Sequence, residues 1–323
     1  MDKGTLLISL DFELFWGVLD CHTYDSYGKN VLGGRKAIPK LLELFKKYGV
    51  HATWATVGMM FADNVEDLFT YCPSKKLYPH YKNQLLSSYN FLEKETIKID
   101  DENYFFGRQL IDLISKYDGQ EIGSHTFSHY YAREDGQNID EFSADINSAK
   151  NIAENKGYEV NTLVFPRNQS LDSYEKVIKS NNFIAYRGEE QDWIHRIPVN
   201  IIKRMFRLMD SYINLTGSST YPKEIFKKGE LHNFRGSRFL RPYNKRLSFI
   251  EPLKIHRVKS QMKKAAKKGE IMHLWWHPHN VGLNTEVNLK HIEEILSYYK
   301  KLNTKYGMKS CNMRELANEI NER

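Results

Sequence analysis

Residues 121–129 read Glu-Ile-Gly-Ser-His-Thr-Phe-Ser-His and carry the clearest structural pattern in the chain. Its first four residues are typical of a short β-strand, and two histidines follow immediately. His125 and His129 are four residues apart, and on one helical turn that spacing brings two imidazoles within reach of a single metal ion. We therefore expect a strand that ends in a pair of metal-binding histidines.

A second polar pair follows a strand near the N-terminus. Residues 6–10 form the apolar run Leu-Leu-Ile-Ser-Leu, and Asp11 and Glu13 come directly after it. Carboxylates at positions i and i+2 of a strand point to the same side. Two imidazoles and one carboxylate make an open three-ligand metal site, and the other carboxylate remains available as a base. This combination is typical of metal-assisted hydrolysis.

Short strand patterns alternate with helical patterns along the chain, which favours a parallel α/β fold with the geometry of a barrel. Strands are predicted at 6–10, 51–57, 121–124, 162–165, 184–186 and 271–276. Helices are predicted at 35–48, 106–116, 142–155, 171–180 and 287–302. Because the carboxyl ends of parallel barrel strands share one face, the polar residues that follow them should meet there. They include Pro166-Arg167-Asn168 and His277-Pro278-His279-Asn280.

Residues 1–323 are interpreted as one decorated domain, with insertions at about 62–117 and 196–268 where the alternation breaks. The pair Gly33-Gly34 is predicted to form a turn before the helix at 35–48, with an anion cradle as the alternative. Three arginines in the second insertion form either structural ion pairs or a phosphate site: Arg235, Arg238 and Arg241. Trp16, Trp275 and Trp276 are expected in the core, with sugar stacking as the alternative.

Composition narrows the class of protein. Hydrophobic residues make up 41% and charged residues 27%, which indicates a globular chain and not a disordered one. The net charge of +7 is concentrated partly at 254–268, which is expected to be a solvated helix face. The alternative is an anionic partner, either a phosphate-bearing substrate or an acidic membrane surface. No nucleic-acid reader motif occurs, so nucleic acid is not an expected partner.

The compartment is predicted from cysteines and from hydropathy. Cys21, Cys72 and Cys311 are far apart and lack metal-site spacing, which favours free thiols in a reducing environment. Neither a signal-peptide pattern nor an apolar stretch of roughly 20 residues is present. We therefore expect a cytoplasmic protein.

The polar motifs, taken in chain order, resemble those of the polysaccharide deacetylase family. These are the NodB-homology carbohydrate esterases of the carbohydrate esterase 4 type. His125–His129 matches the family's His-Ser/Thr-x-x-His motif well. Asp11, Phe165-Pro166-Arg167 and Leu274–His279 match three other motifs more loosely, and Asp192-Trp193 faintly resembles the remaining one. The resemblance implies a distorted (β/α) barrel with fewer than eight strands, here with helical insertions.

The resemblance also implies roles for individual residues. Asp11 is expected to be the general base, and Glu13, His125 and His129 the metal ligands. The family has two adjacent aspartates where this chain has Asp11-Phe12-Glu13, so an exchange of roles between Asp11 and Glu13 remains open.

His277 is the expected general acid, with His273 and His279 as competitors. Arg167 is expected to orient Asp11 or the carboxylate cluster, with a surface cation as the alternative. The cofactor would be one divalent metal ion. Zn²⁺ suits the ligands, and Co²⁺, Ni²⁺, Mn²⁺ and Fe²⁺ are alternatives.

The activity that follows from the resemblance is carbohydrate N-deacetylation, in which an N-acyl group, acetyl by preference, is removed from an amino sugar. The expected substrate is a glycan precursor linked to a carrier, either a nucleotide or a membrane lipid phosphate. Two alternatives are an amidohydrolase of a small non-sugar amide and a non-catalytic saccharide-binding protein on the same fold. The sugar and the oligomeric state are left open.

Overall fold

A parallel sheet forms the centre of the molecule in the computed structural model, which describes residues 3–94, 97, 101–190 and 192–322. The first three strands, β1, β2 and β3, span Thr5–Phe12, Ala52–Thr56 and Gln120–Ser124, and the next three, β4 to β6, span Thr162–Val164, Ala185–Arg187 and His232–Asn233. The last three, β7 to β9, span Arg238–Phe239, Ile271–Trp276 and Lys309–Cys311.

Helices surround this sheet. In chain order they are α1 Tyr24–Tyr48, α2 Val65–Tyr71, α3 Ser88–Lys94, α4 Glu102–Phe105, α5 Arg108–Ile114 and α6 Ile139–Asn155. They continue with α7 Glu175–Ser180, α8 Asn200–Tyr212, α9 Glu251–Lys268, α10 Pro278–Gly282, α11 Thr285–Tyr306 and α12 Met313–Glu322. None of the helices described here is long and apolar enough to cross a membrane.

The strand order confirms the predicted fold class, a distorted (β/α) barrel. Strands β6-β5-β4-β3-β2-β1-β8-β7 lie side by side, β9 pairs with β1, and all of these pairings are parallel. All six predicted strands are present, and β6, β7 and β9 are additional. The described part of the chain therefore forms a nine-stranded sheet, and the expected count of fewer than eight strands is wrong. The additional strands, of two or three residues, are too short to show an apolar run in the sequence. Since β1 lies between β2 and β8, the residues after β1, β3 and β8 are brought to one end of the sheet.

Helix α1 begins at Tyr24, well before the predicted start at residue 35, and Thr23 caps it together with Ser26. Gly33 and Gly34 therefore lie inside a helix, so both the predicted turn and the alternative anion cradle are wrong. Glycine is required at these helical positions because the packing is close. A Cβ at Gly33 would lie 2.2 Å from the carbonyl oxygen of Gly282. A glycine inside a helix lowers its stability by about 1 kcal/mol relative to alanine. Here the missing side chain lets α1 pack directly on α10 behind the site.

The two predicted insertions are packed into the body of the fold. Phe105 and Ile111, from the segment 62–117, lie in the main hydrophobic core, whereas residues 95, 96 and 98–100 of that segment lie outside the described part of the chain. The segment 196–268 supplies β6 and β7 to the sheet.

The predicted solvated face at 254–268 is partly wrong, because Lys254 and Arg257 of α9 are buried. Lys254 pairs with Glu251 at 2.5 Å, and Arg257 approaches Asp210 at 3.4 Å. These bases neutralise acids inside the fold, so they do not form a solvated surface.

Candidate active site

The carboxyl ends of β1, β3 and β8 bring the predicted carboxylates and histidines together. Glu13 lies at the centre of the group. Its Oε2 atom is 3.3 Å from His125 Nε2 and 3.1 Å from His129 Nε2. Its Oε1 atom is 3.6 Å from His277 Nε2. Gly17 makes room for this carboxylate, since a Cβ there would lie 2.0 Å from the carboxyl carbon of Glu13.

The His125–His129 segment is a loop, so the predicted helical turn is wrong. Thr126 and His129 both have positive φ angles, 64° and 59°, which turn the chain sharply and still bring both rings to Glu13. Asp145 of α6 holds the loop from behind. Its carboxylate accepts hydrogen bonds from the backbone N–H groups of Phe127 (2.7 Å) and Ser128 (3.1 Å) and from the Ser128 hydroxyl.

Asp145 was missed by the sequence reasoning. The available signal was an acid on the apolar face of the predicted helix, beside Phe142, Ile146 and Ala149. Burial raises the pKa of Asp145 to about 6 although three donors favour its charged form.

The ring of His125 is oriented for a cation. Its Nδ1–H donates to the Val164 carbonyl oxygen at 2.7 Å, so in the neutral ring Nε2 carries a lone pair. That buried nitrogen makes no hydrogen bond to any described residue, and it faces the Glu13 carboxylate. Two electron-pair donors that face each other repel unless a proton or a metal ion lies between them. Metal-binding histidines commonly donate their second nitrogen to a carbonyl in this way.

Glu13 is held in its charged form. Burial raises its pKa, but His277, His125 and His129 together outweigh burial and bring the pKa well below the ordinary value. In turn, burial lowers the pKa of His129. A donor set of one carboxylate and two imidazoles is the one expected for a divalent metal, and Glu13, His125 and His129 meet the distance requirement for a shared ion. Glu13, His277 and His279 form a second group within the same distance limit.

Asp11 is contacted by Arg187, at the end of β5. The sequence indicates Arg167 for this role, and that expectation is wrong for Asp11. Arg187 Nη2 donates to Asp11 Oδ2 at 2.7 Å, and its Nη1 and Nε donate to Ser9 Oγ and Asn168 Oδ1. Burial raises the pKa of Asp11, but Arg187 and the histidines His125 and His277 lower it overall.

Arg167 lies at the rim of the site instead. Its φ angle of 54° directs the side chain to Asp20, whose Oδ2 accepts from Nη2 at 2.5 Å, and the guanidinium lies 4.3 Å from the centre of the Tyr131 ring. The predicted strand at 184–186 stopped one residue short of Arg187. An arginine at a strand end was the signal that could have identified it.

The three candidate histidines after and within β8 have different surroundings. His273 is completely buried, where its Nδ1 donates to the Phe234 carbonyl and its Nε2 accepts from Ser9. His279 is buried behind His277, with the two rings stacked at 4.9 Å. Burial lowers the pKa of both His273 and His279 to about 3. His277 alone of these three lines the cavity described below, with 22% of its side chain exposed.

The tautomer of His277 follows from its neighbours. The Tyr27 hydroxyl donates to Asn280 Oδ1 at 3.0 Å, which leaves Asn280 Nδ2 to donate to His277 Nδ1 at 3.2 Å. The ring proton then belongs on Nε2. That atom lies 3.6 Å from both Asp11 Oδ2 and Glu13 Oε1. His277 therefore presents an N–H group to the carboxylates and to the cavity.

An open cavity of about 770 Å³ lies above these residues. On the sheet side it is lined by Asp11, Glu13, His129, Arg167, Trp275 and His277. On the opposite side it is lined by α8 and by Arg241. Trp16 and Trp276 are in the core, 1% exposed each, whereas Trp275 reaches the cavity with the Arg187 guanidinium 4.3 Å from its ring centre. Arg238 forms a buried ion pair with Asp210 at 2.7 Å.

Comparison with known proteins identifies the family. The sequence profile of the polysaccharide deacetylases matches residues 22–185, and the chain belongs to that family. No curated protein matches the sequence.

Solved structures share the fold at low sequence identity. A Mycobacterium smegmatis protein assigned to the polysaccharide deacetylases is 11% identical, with a TM-score of 0.61 over 100% of this chain and 92% of its own. One from Pseudomonas aeruginosa PAO1 is 12% identical, with a TM-score of 0.55 over 99% and 91%. Puue allantoinase is 11% identical, with a TM-score of 0.55 over 97% and 89%. At these identities the likeness concerns the fold alone.

Proposed function

We propose that this chain is a metal-dependent N-deacetylase that hydrolyses the N-acyl group, acetyl by preference, of an amino sugar. Membership of the polysaccharide deacetylase family supports the reaction class. The main support is the position of His125 Nε2, which lies 3.3 Å from Glu13 Oε2. Both atoms are buried electron-pair donors, and His125 Nε2 has no hydrogen-bond partner among the described residues. A purely structural role would place a donor opposite an acceptor at such a position.

Glu13, His125 and His129 would hold the metal ion in this proposal. Zn²⁺ is the metal we expect, and Co²⁺, Ni²⁺, Mn²⁺ and Fe²⁺ accept the same ligands. When bound, such an ion supplies a Lewis acid that polarises the amide carbonyl and acidifies water.

Asp11 is the proposed general base. Its Oδ2 atom is held by Arg187, whereas no described residue donates a hydrogen bond to its buried Oδ1 atom. Oδ1 can therefore accept a proton from the attacking water. Arg187 keeps Asp11 ionised and fixes its orientation, so Arg187 is a positioning residue in this scheme.

His277 is the proposed general acid. It lines the cavity beside Asp11, with its Nε2 atom 3.6 Å from Asp11 Oδ2, and the proton on Nε2 is the one to be delivered to the leaving amine. Asn280 and Tyr27 keep that proton on Nε2 through the hydrogen bonds described above. An amine leaves readily only after it is protonated, so this step is needed for breakage of the C–N bond.

The substrate we propose carries a phosphate, as a nucleotide- or lipid-phosphate-linked sugar does. Arg204, Arg207 and Arg241 all line the cavity opposite Asp11. Burial and the neighbouring Arg207 lower the pKa of Arg241 to about 10, so Arg207 and Arg241 are held close together at an energetic cost. A phosphate between them would offset their repulsion.

Metal content is the first test. Elemental analysis of the protein should find about one transition-metal ion per chain, and His125→Ala/His129→Ala should abolish it. His256→Ala, which removes an exposed histidine of α9, is the matched control and should keep the metal. A wild-type chain that stays metal-free after incubation with Zn²⁺ or Co²⁺ contradicts the proposal.

Acetate release is the second test, measured on metal-loaded protein with free, nucleotide-linked and lipid-phosphate-linked N-acetylated sugars. Allantoin should be included, because an allantoinase shares the fold. Turnover of a small amide in place of any sugar would favour the amidohydrolase alternative. Binding of sugars without turnover by a metal-replete chain would favour a saccharide-binding protein.

A further inference from the structure

Helix α8 exposes an apolar surface next to the cavity. Ile201 is 77% exposed and Met205 52% exposed, and they lie one turn apart on the same face. The helix and the residues beside it contain further exposed apolar side chains: Trp193, Val199, Ile202, Leu208, Met209 and Ile213. Apolar side chains gathered in this way mark a site of interaction more often than scattered ones do.

The helix is firmly anchored at its C-terminal end. Asp210 is buried, and it pairs with Arg238 at 2.7 Å and approaches Arg257 at 3.4 Å. It also accepts hydrogen bonds from the backbone N–H groups of Leu215 and Thr216. The C-terminal end of α8 is therefore fixed to the body of the fold by buried ion pairs.

The charges carried by α8 up to Met209 and by the residues just before it are positive, with the acids Asp192 and Asp210 on either side. Residues 193–209 contain Arg196, Lys203, Arg204 and Arg207 but no aspartate or glutamate. Basic residues beside a broad apolar face are typical of helices that lie in the interface of an anionic bilayer. A second copy of the chain would bring the same positive surface against this one, which disfavours a symmetric dimer here.

We propose that α8 docks on the surface of an anionic lipid bilayer. Ile201, Arg204, Met205 and Leu208 also line the cavity, so docking would place the cavity mouth at the membrane. A sugar on a lipid phosphate could then enter with its phosphate near the arginines. The membrane contact considered for 254–268 is thereby assigned to another element, because the inner bases of α9 are paired within the fold. Docking depends on α8 alone and is independent of the proposed chemistry.

The test is co-sedimentation of the full-length chain with vesicles. Phosphatidylcholine vesicles that contain phosphatidylglycerol are compared with pure phosphatidylcholine vesicles. Ile201→Ser/Met205→Ser removes apolar area, and Lys203→Glu/Arg204→Glu reverses the charge. Leu85→Ser, at an exposed leucine outside α8, and Lys267→Glu/Lys268→Glu, on α9, are the matched controls. Circular dichroism and thermal unfolding check that each variant folds.

We expect the wild type to prefer the anionic vesicles by about tenfold or more, and each α8 variant to bind on the order of tenfold more weakly. The two control variants should bind as the wild type does. Absence of vesicle binding by the wild type would overturn the proposal. Loss of binding in the α9 variant alone would overturn it as well. A concentration-dependent dimer that Ile201→Ser/Met205→Ser abolishes would assign the face to a second copy instead.

Discussion

The two walls of the cavity reverse the usual distribution of polar and apolar groups in opposite ways. On the sheet wall, Asp11, Glu13 and His129 are buried although they are polar or charged. On the helical wall, Ile201 and Met205 are exposed although they are apolar. Each reversal is unfavourable for an isolated domain. Both proposed sites therefore lie where the fold holds groups against their solvation preference.

A buried ion pair supports each wall. Arg187 holds Asp11 on the sheet wall, and Arg238 holds Asp210 at the base of α8 on the helical wall. Removal of one partner from a buried pair leaves an uncompensated charge, which is strongly destabilising. The two pairs share no residue, so a substitution can break either one alone. The loss of one pair should leave the other wall intact.

The largest expected effect is on the sheet wall. Arg187→Met should destabilise the protein by about 4 kcal/mol, because the Asp11 carboxylate stays buried without its partner. Deacetylation should be lost as well, since Asp11 loses both its orientation and its low pKa. Arg167→Met is the control and should cost about 1 kcal/mol or less, because the pair of Arg167 with Asp20 lies at the exposed rim. Urea unfolding measures both, and equal losses would contradict the assignment of Arg187.

The helical wall should show a pH-dependent effect. Burial raises the pKa of Asp210, but Arg238 and the Thr216 N–H lower it overall from 3.8. A lowered folded-state pKa means that Asp210 contributes stability above about pH 4 and loses that contribution as pH falls further. Asp210→Asn should therefore cost about 3 kcal/mol at pH 7 and progressively less below pH 4. Urea unfolding of the wild type and of Asp210→Asn between pH 7 and pH 3 measures this. A difference in the free energy of unfolding that does not change with pH would refute the ion pair.

The loop between the two histidines offers a sharper comparison within the sheet wall. Asp145→Ala leaves three buried donors of Phe127 and Ser128 without their acceptor, which should cost about 2 kcal/mol. Zn²⁺ affinity should fall by about tenfold or more, since the loop positions His125 and His129. Asp140→Asn, an exposed acid of the same helix, is the control. Unchanged metal affinity in Asp145→Ala would show that the loop holds its shape without this carboxylate.

The smallest effect concerns the tautomer of His277. Tyr27→Phe removes one hydrogen bond to Asn280 and should cost about 1 kcal/mol or less. We expect a reduced kcat with unchanged metal content, because the proton of His277 is less firmly held on Nε2. A kcat equal to that of the wild type would indicate that Asn280 orients His277 without Tyr27.

Much of the fold could be predicted from local patterns. Six of the nine described strands and the helices α6 and α11 follow from apolar runs and helical periodicity, since burial leaves a regular signature along the chain. The start of α1 could not be found in this way. Its N-terminal turns contain Gly28, Gly33 and Gly34, which disfavour a helix locally and are tolerated because α1 packs closely on Tyr104 and α10.

The sequence by itself determined the family motif and the identity of the residues at the candidate metal site, because the type and spacing of ligands are written locally. The partners of those residues became apparent from the folded chain. Arg187 and Asp11 are 176 positions apart, and Asp145 reaches the histidine loop from another helix. Hydrogen bonds and ion pairs of this kind depend on distance in space and leave no periodic trace in the chain. For the same reason, the exposed face of α8 could be recognised only once the rest of the fold had covered the other apolar surfaces.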